Sequence, residues 1–173
     1  MELDPLNSLV QGISAWVLMA MSRYDDVIVR ARNVLKTSPN DSVAYNLLWQ
    51  SFQMKGMYEE ALTAAKAFFA AIGLAEIEEV MSRGYAEGGY SEAMRFAGDT
   101  LAELYRETYI APQFISNLYA FAGKKDQTLE WLERGYEAKD PNMPYIIEPI
   151  YDSMRDDPRF KDLLRRMNLP ELE

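Results

Sequence analysis

The segment Gly56-Met57-Tyr58-Glu59-Glu60-Ala61-Leu62 returns, with glycine, tyrosine, acid and alanine at the same offsets, as Gly88-Gly89-Tyr90-Ser91-Glu92-Ala93-Met94. Fainter copies lie at Arg23-Tyr24-Asp25-Asp26-Val27-Ile28 and Gly123-Lys124-Lys125-Asp126-Gln127-Thr128-Leu129. Anchored on Tyr24, Tyr58, Tyr90 and Lys125, the copies stand 34, 32 and 35 residues apart. A period of this length marks helix-turn-helix units, none of which can bury its apolar face alone, so that they stack into a solenoid. Such an array works as a surface more than as a reaction vessel.

Reading outward from the phrase gives eight helices in four pairs. The first opens at Asp4-Pro5, an N-cap followed by proline at the first helical position, and runs to about Ser22. The second spans about 24–37 and stops at Ser38-Pro39, because proline cannot continue a helix. The third, about 43–54, is capped by Asp41 or Ser42 and broken by Gly56; its partner covers about 58–72 and ends at Gly73. Helices at about 75–86 and 91–107 flank Glu87-Gly88-Gly89, and helices at about 112–122 and 126–138 flank Gly123. The repeats therefore cover about 5–41, 42–73, 74–108 and 109–142. From Met143 the period stops. Two prolines, Pro144 and Pro149, predict a short helical turn or an extended segment pressed on the last repeat. Asp157-Pro158 then starts a final helix, with Phe160, Leu163, Leu164 and Met167 on one face, and residues 143–173 serve as a cap.

Composition narrows the chemistry. The 173 residues include no cysteine and no histidine, which removes thiolate chemistry, the usual zinc sites and the commonest general base. A net charge of −9 disfavours duplex nucleic acid and anionic membranes. No stretch reaches the roughly 18 apolar residues of a membrane span. The N-terminus lacks the basic start of a secretory signal, so the expected location is the cytoplasm. Neither a cofactor nor a metal is expected. The acidic pairs Asp25-Asp26, Glu59-Glu60, Glu78-Glu79 and Asp156-Asp157 fall mostly at helix starts, where acids complement the helix dipole, and they read as caps before they read as catalysts. Gly84-Tyr85-Ala86-Glu87-Gly88-Gly89 lacks the Lys-Ser/Thr of a phosphate loop and follows no strand. Arg155, Arg159, Arg165 and Arg166 are offset by neighbouring acids; Arg159 is expected to pair with an acid on the last repeat and lock the cap.

The units resemble tetratricopeptide repeats. In Ser42 to Gly73, Tyr45, Leu48 and Phe52 fill the first-helix slots, Gly56 and Tyr58 the turn, and Ala61 and Ala65 the small-residue slots. Trp49 departs from the pattern at a slot that is usually small, and must splay the helix pair or fill a gap. The runs Tyr109 to Pro112, Leu118 to Asp126, Glu130 to Tyr136 and Ser153 to Pro170 resemble the C-terminal repeat regions of large bacterial regulators. In those proteins a winged-helix domain, a nucleotide cyclase or a Ser/Thr kinase lies upstream. The resemblance implies an all-α, right-handed superhelix of about four repeats. It also implies a protein-binding module, the sensory or scaffolding part of a signalling protein. A stand-alone adaptor that assembles a complex is the alternative reading, and a helical enzyme using paired carboxylates is the third.

In such repeats the first helix of each pair lines the concave face. Carrying those slots across gives Gly12, Trp16, Met19 and Ala20, then Asn46, Gln50, Gln53 and Met54. Glu78, Ser82 and Tyr85 follow, then Gln113, Asn117, Ala120 and Phe121. No Lys or Arg stands among them, which argues against a clamp for a peptide's terminal carboxylate. Asn and Gln both donate and accept, and so suit the backbone of a neutral or mildly basic segment. The competing reading makes Trp16 and Phe121 core. The first helix is apolar almost all round, so Leu9, Ile13, Trp16 and Val17 are expected to form a self-association face for a homodimer or a stacking surface for further repeats.

Overall fold

The computed structural model describes residues 15, 17–19 and 21–170. The predicted start of the first helix, with Leu9, Gly12, Ile13, Trp16 and Ala20, lies outside them. Every regular element among the described residues is helical. They form two compact units, the first closing at Glu79 and the second opening at Val80.

In the first unit, residues 17–19 are helical, followed by α1 (Tyr24–Thr37), α2 (Ser42–Met54) and α3 (Tyr58–Ala71). The chain packs α1 on α2 and α2 on α3. Asp41 is the N-cap of α2, and its carboxylate accepts the Ala44 N–H at 2.8 Å. Trp49 resolves its unusual position by filling space. It is 1% exposed, and its ring centroid lies 5.9 Å from those of both Phe68 and Phe69 on α3.

The element α4 (Glu76–Leu104) begins in the first unit, and its greater part belongs to the second. It is broken at Gly88 (φ −157°, ψ 23°) and Gly89 (φ 72°, ψ −158°), where the sequence predicts the turn. A straight helix would carry residues eight apart to about 12 Å. Instead a Cβ on Gly84 would meet the Glu92 carbonyl oxygen at 2.7 Å and the Ala93 Cα at 2.8 Å. The two halves thus fold back on one another, and Gly84 is a point of close approach.

The rest of the second unit is α5 (Pro112–Phe121), α6 (Lys125–Glu137), two 3-10 turns (Met143–Ile147 and Pro149–Met154) and α7 (Pro158–Arg166). Tyr119 on α5 donates to Asp99 on α4 at 2.9 Å, and the Ser91 hydroxyl donates to the Ala122 carbonyl at 2.8 Å. The turns and α7 close a core with α6. Leu129, Leu132, Met143, Ile146, Tyr151, Met154, Phe160, Leu163 and Leu164 are all buried together. The predicted lock is present: Arg159 donates to Asp126 on α6 at 2.9 Å, and Arg166 grips Glu133. Asp157 caps α7 and accepts from Arg159, whose guanidinium beside it holds its carboxyl down at about 2.

Three of the four copies of the repeated phrase follow the same turn. At Ser22, Gly56 and Gly123 the backbone is left-handed, with φ of 56°, 71° and 69°. Each closes the same pair of bonds: Ser22 N to Met19 O with Arg23 N to Leu18 O, Gly56 N to Gln53 O with Met57 N to Phe52 O, and Gly123 N to Ala120 O with Lys124 N to Tyr119 O. This pairing satisfies the last carbonyls of the preceding helix. After each anchor, three positions face inward in every copy. Val27, Ile28 and Ala31 are buried, as are Ala61, Leu62 and Ala65, then Ala93, Met94 and Ala97, then Thr128, Leu129 and Leu132.

Candidate functional site

The first-helix slots divide into three groups. On α2, Asn46 and Gln50 sit one turn apart, and Gln50 Nε2 donates to Asn46 Oδ1 at 3.2 Å. Gln50 is buried, while Asn46, Gln53 and Met54 are partly exposed. Gln53 carries the anomaly of this face: its Oε1 is buried and accepts no hydrogen bond. An acceptor removed from water without a donor costs about 1–3 kcal/mol. The buried Met19 reaches the same helix from the N-terminal side, where its sulfur accepts from the Ser51 hydroxyl at 3.3 Å.

On α4, Glu78 and Ser82 are exposed and Tyr85 is partly exposed. Glu78 belongs to the acid-rich first turn of α4 with Glu76 and Glu79, as expected of acids at a helix start.

On α5 the slots are occupied by the protein itself. Gln113, Asn117 and Phe121 are buried, at 6%, 8% and 8% exposure, and Phe121 is core, as the competing reading had it. The Tyr151 hydroxyl, from the second 3-10 turn, enters between the polar pair. It donates to Asn117 Oδ1, lies 2.7 Å from the Ser116 hydroxyl and accepts from Gln113 Nε2 at 3.4 Å. Gln113 Nε2 also donates to Asn117 Oδ1 at 3.1 Å. Burial pushes the Tyr151 phenol far above its ordinary range, so it stays neutral and can donate.

Two further residues complete this cluster, and neither was singled out from the sequence. Asp140, 4% exposed, accepts the Gln113 N–H at 2.9 Å and the Asn142 N–H at 2.9 Å. Its neighbour in the fold, Ala111, has no capping side chain, so Asp140 caps α5 from 27 residues away. Glu148 joins the two 3-10 turns with an extended backbone (φ −68°, ψ 155°). Burial alone raises its carboxyl to about 7. The only sequence signal for this region was the apolar, proline-interrupted run, which announces a cap without giving its register.

Of the proposed self-association face, Val17 alone is described; it is 55% exposed, and Met21 nearby is 61% exposed. Among the described residues no three acids gather into a group that could hold a metal, and no helix is long and apolar enough to cross a membrane. The chain matches no protein-family model, no curated protein and no solved structure.

Proposed function

We propose that this chain is a tetratricopeptide-type repeat protein whose first-helix faces hold an extended segment of a partner protein, as the sensory or scaffolding part of a bacterial signalling protein. The observation that carries the reading is the in-register burial after each anchor. Second helices that spend the same three positions on the core in four successive copies are what a stack of like units requires. The face of α2 supports the reading further. It offers two carboxamides bonded to each other and a third whose Oε1 lacks a donor. Carboxamides serve either polarity of a peptide backbone.

The α5 slots are assigned differently. Gln113 and Asn117 are committed to Tyr151, whose segment buries Met143, Ile146 and Met154 as well. Each such side chain contributes about 1.5–3 kcal/mol on burial, more than a short peptide gains by taking their place. The α5 slots therefore support the fold, and the binding residues are those on α2. Panning a random-peptide library against the protein tests this. Selected peptides should lose about tenfold or more in affinity for Asn46→Ala/Gln50→Ala, by roughly 1.4 kcal/mol, while the circular dichroism of that variant stays close to wild type. Peptides that bind the variant as tightly as the parent would remove the α2 face from the reading.

A further inference from the structure

We propose, resting on the segment-binding reading above, that the α2 face takes the side-chain hydroxyl of a tyrosine on the bound segment, held by Asn46 and Gln50. The molecule carries its own example of such an occupant. Asn46 and Gln50 stand ten and six residues before the turn glycine Gly56, and Gln113 and Asn117 stand ten and six residues before Gly123. The two glycines close their turns with the same pair of backbone bonds, so α2 and α5 align residue for residue. In both helices the two carboxamides are one turn apart and bonded to each other. Gln50 Nε2 donates to Asn46 Oδ1 at 3.2 Å, and Gln113 Nε2 donates to Asn117 Oδ1 at 3.1 Å.

On α5 this pair has an occupant. Tyr151 donates its hydroxyl to Asn117 Oδ1, the oxygen that also accepts from Gln113, and accepts from Gln113 Nε2 at 3.4 Å. A phenol suits a joined carboxamide pair because one atom both donates and accepts. A carboxylate can only accept and an ammonium can only donate, so neither satisfies both members.

On α2 the same arrangement stands open. Asn46 Oδ1 accepts from Gln50 and from no other described residue, which leaves one of its two lone pairs free. Gln113, beneath Tyr151, is 6% exposed, whereas its counterpart Asn46 is partly exposed. The accessible member of the α2 pair is thus the one that carries the acceptor oxygen. Gln50, buried beside it, holds that oxygen in place and keeps a second N–H for the phenol, as Gln113 Nε2 does on α5.

The surroundings of the pair fit an aromatic ring. Val43 precedes Asn46 by one turn on the same face and is 49% exposed; Met54 follows Gln50 by one turn and is partly exposed. They offer the ring an apolar seat, the part that Phe160 plays for Tyr151. One difference separates the two faces. Ser116 lies 2.7 Å from the Tyr151 hydroxyl, and its counterpart on α2 is Trp49, turned into the core against Phe68 and Phe69. With two polar partners in place of three, α2 suits an occupant that exchanges, where α5 holds a permanent one.

Acetyl-Pro-Ile-Tyr-amide, a neutral copy of residues 149–151, and acetyl-Pro-Ile-Phe-amide are the probes. With the full chain, the side-chain amide signals of Asn and Gln are followed by NMR as each peptide is added. The tyrosine peptide is expected to shift Asn46 and Gln50 and to leave Gln113 and Asn117 in place, because Tyr151 already holds them. The phenylalanine peptide is expected to bind wild type about tenfold more weakly. Against Asn46→Ala/Gln50→Ala, followed through the Val43 methyl signals, the two peptides should bind equally. No shift at Asn46 and Gln50, equal binding of the two peptides to wild type, or a difference that persists in the double variant overturns the proposal. Library peptides that lose affinity for Asn46→Ala/Gln50→Ala without containing tyrosine would discard the tyrosine and leave the α2 face standing. Library peptides indifferent to that variant would discard the face, and the tyrosine with it.

Discussion

Glu148 makes the stability of the second unit depend on pH as neutrality is approached. Its carboxyl rises from 4.5 to about 7 on folding because burial penalises the charged form. The folded state therefore holds this proton more tightly than the unfolded state does. The associated stability is complete below about pH 4.5 and is lost as pH rises through about 7. Glu148→Gln removes the titration, so its unfolding free energy relative to wild type should grow from near zero at about pH 4 to roughly 3 kcal/mol at about pH 8. Parallel urea titrations at both pH values check this, and equal differences at the two would contradict it. Tyr151→Phe keeps the ring against Phe160 but removes the hydroxyl's bonds to Asn117, Ser116 and Gln113. It should cost about 1–3 kcal/mol by the same measurement. The sequence reading placed Gln113 and Asn117 on a common helix face but could not see Tyr151 come down on it. Contacts at separations of 34 and 38 residues leave no periodic trace.

Turn geometry makes its own predictions at the level of elements. Lys139 and Asn168 end their helices with φ of 55° and 59°, as Ser22 does with 56°, a backbone that side chains resist and glycine does not. Lys139→Gly and Ser22→Gly are therefore expected to raise stability by about 0.5–1 kcal/mol each, read as a higher melting temperature. The opposite is expected at Gly84. Its Cβ would lie within 2.7–2.9 Å of backbone atoms of Glu92 and Ala93, so Gly84→Ala forces the two arms of α4 apart. It should cost about 1–3 kcal/mol, as overpacking does. The elements themselves were highly legible. The Tyr24–Thr37 and Ser42–Met54 bounds follow from Pro39, Asp41 and Gly56, residues whose backbone preferences act locally. Residues 143–154 were not legible, because two prolines forbid a long helix without choosing among the alternatives. The structure chooses two 3-10 turns, whose register is fixed by Met143, Ile146, Tyr151 and Met154 entering the core. Gly84 was read as part of a glycine-rich run with no phosphate chemistry, and its actual role, close approach, depends on a partner that the linear pattern does not display.

Across the whole molecule, two compact units carry separate reporters, Trp49 in the first and Trp131 in the second. Trp131 stacks edge-on with Tyr105 at 5.1 Å, within the unit whose core the C-terminal cap completes. Removing residues 143–173 strips Met143, Ile146, Tyr151, Met154, Phe160, Leu163 and Leu164 from that core. In single-tryptophan variants the truncation should lower the urea midpoint reported by Trp131 much more than that reported by Trp49, because repeat architectures transmit stability between neighbours and not uniformly. Equal losses would mean that the chain unfolds as one block. The turns at Ser22, Gly56 and Gly123 have a historical consequence as well. Because their hydrogen bonds are superimposable in pattern, a coding segment cut at two of these points and copied in tandem would splice without creating a new joint. A gene of this kind grows or shrinks by whole hairpins, so related chains are expected to differ in the number of units and to keep the turn unchanged.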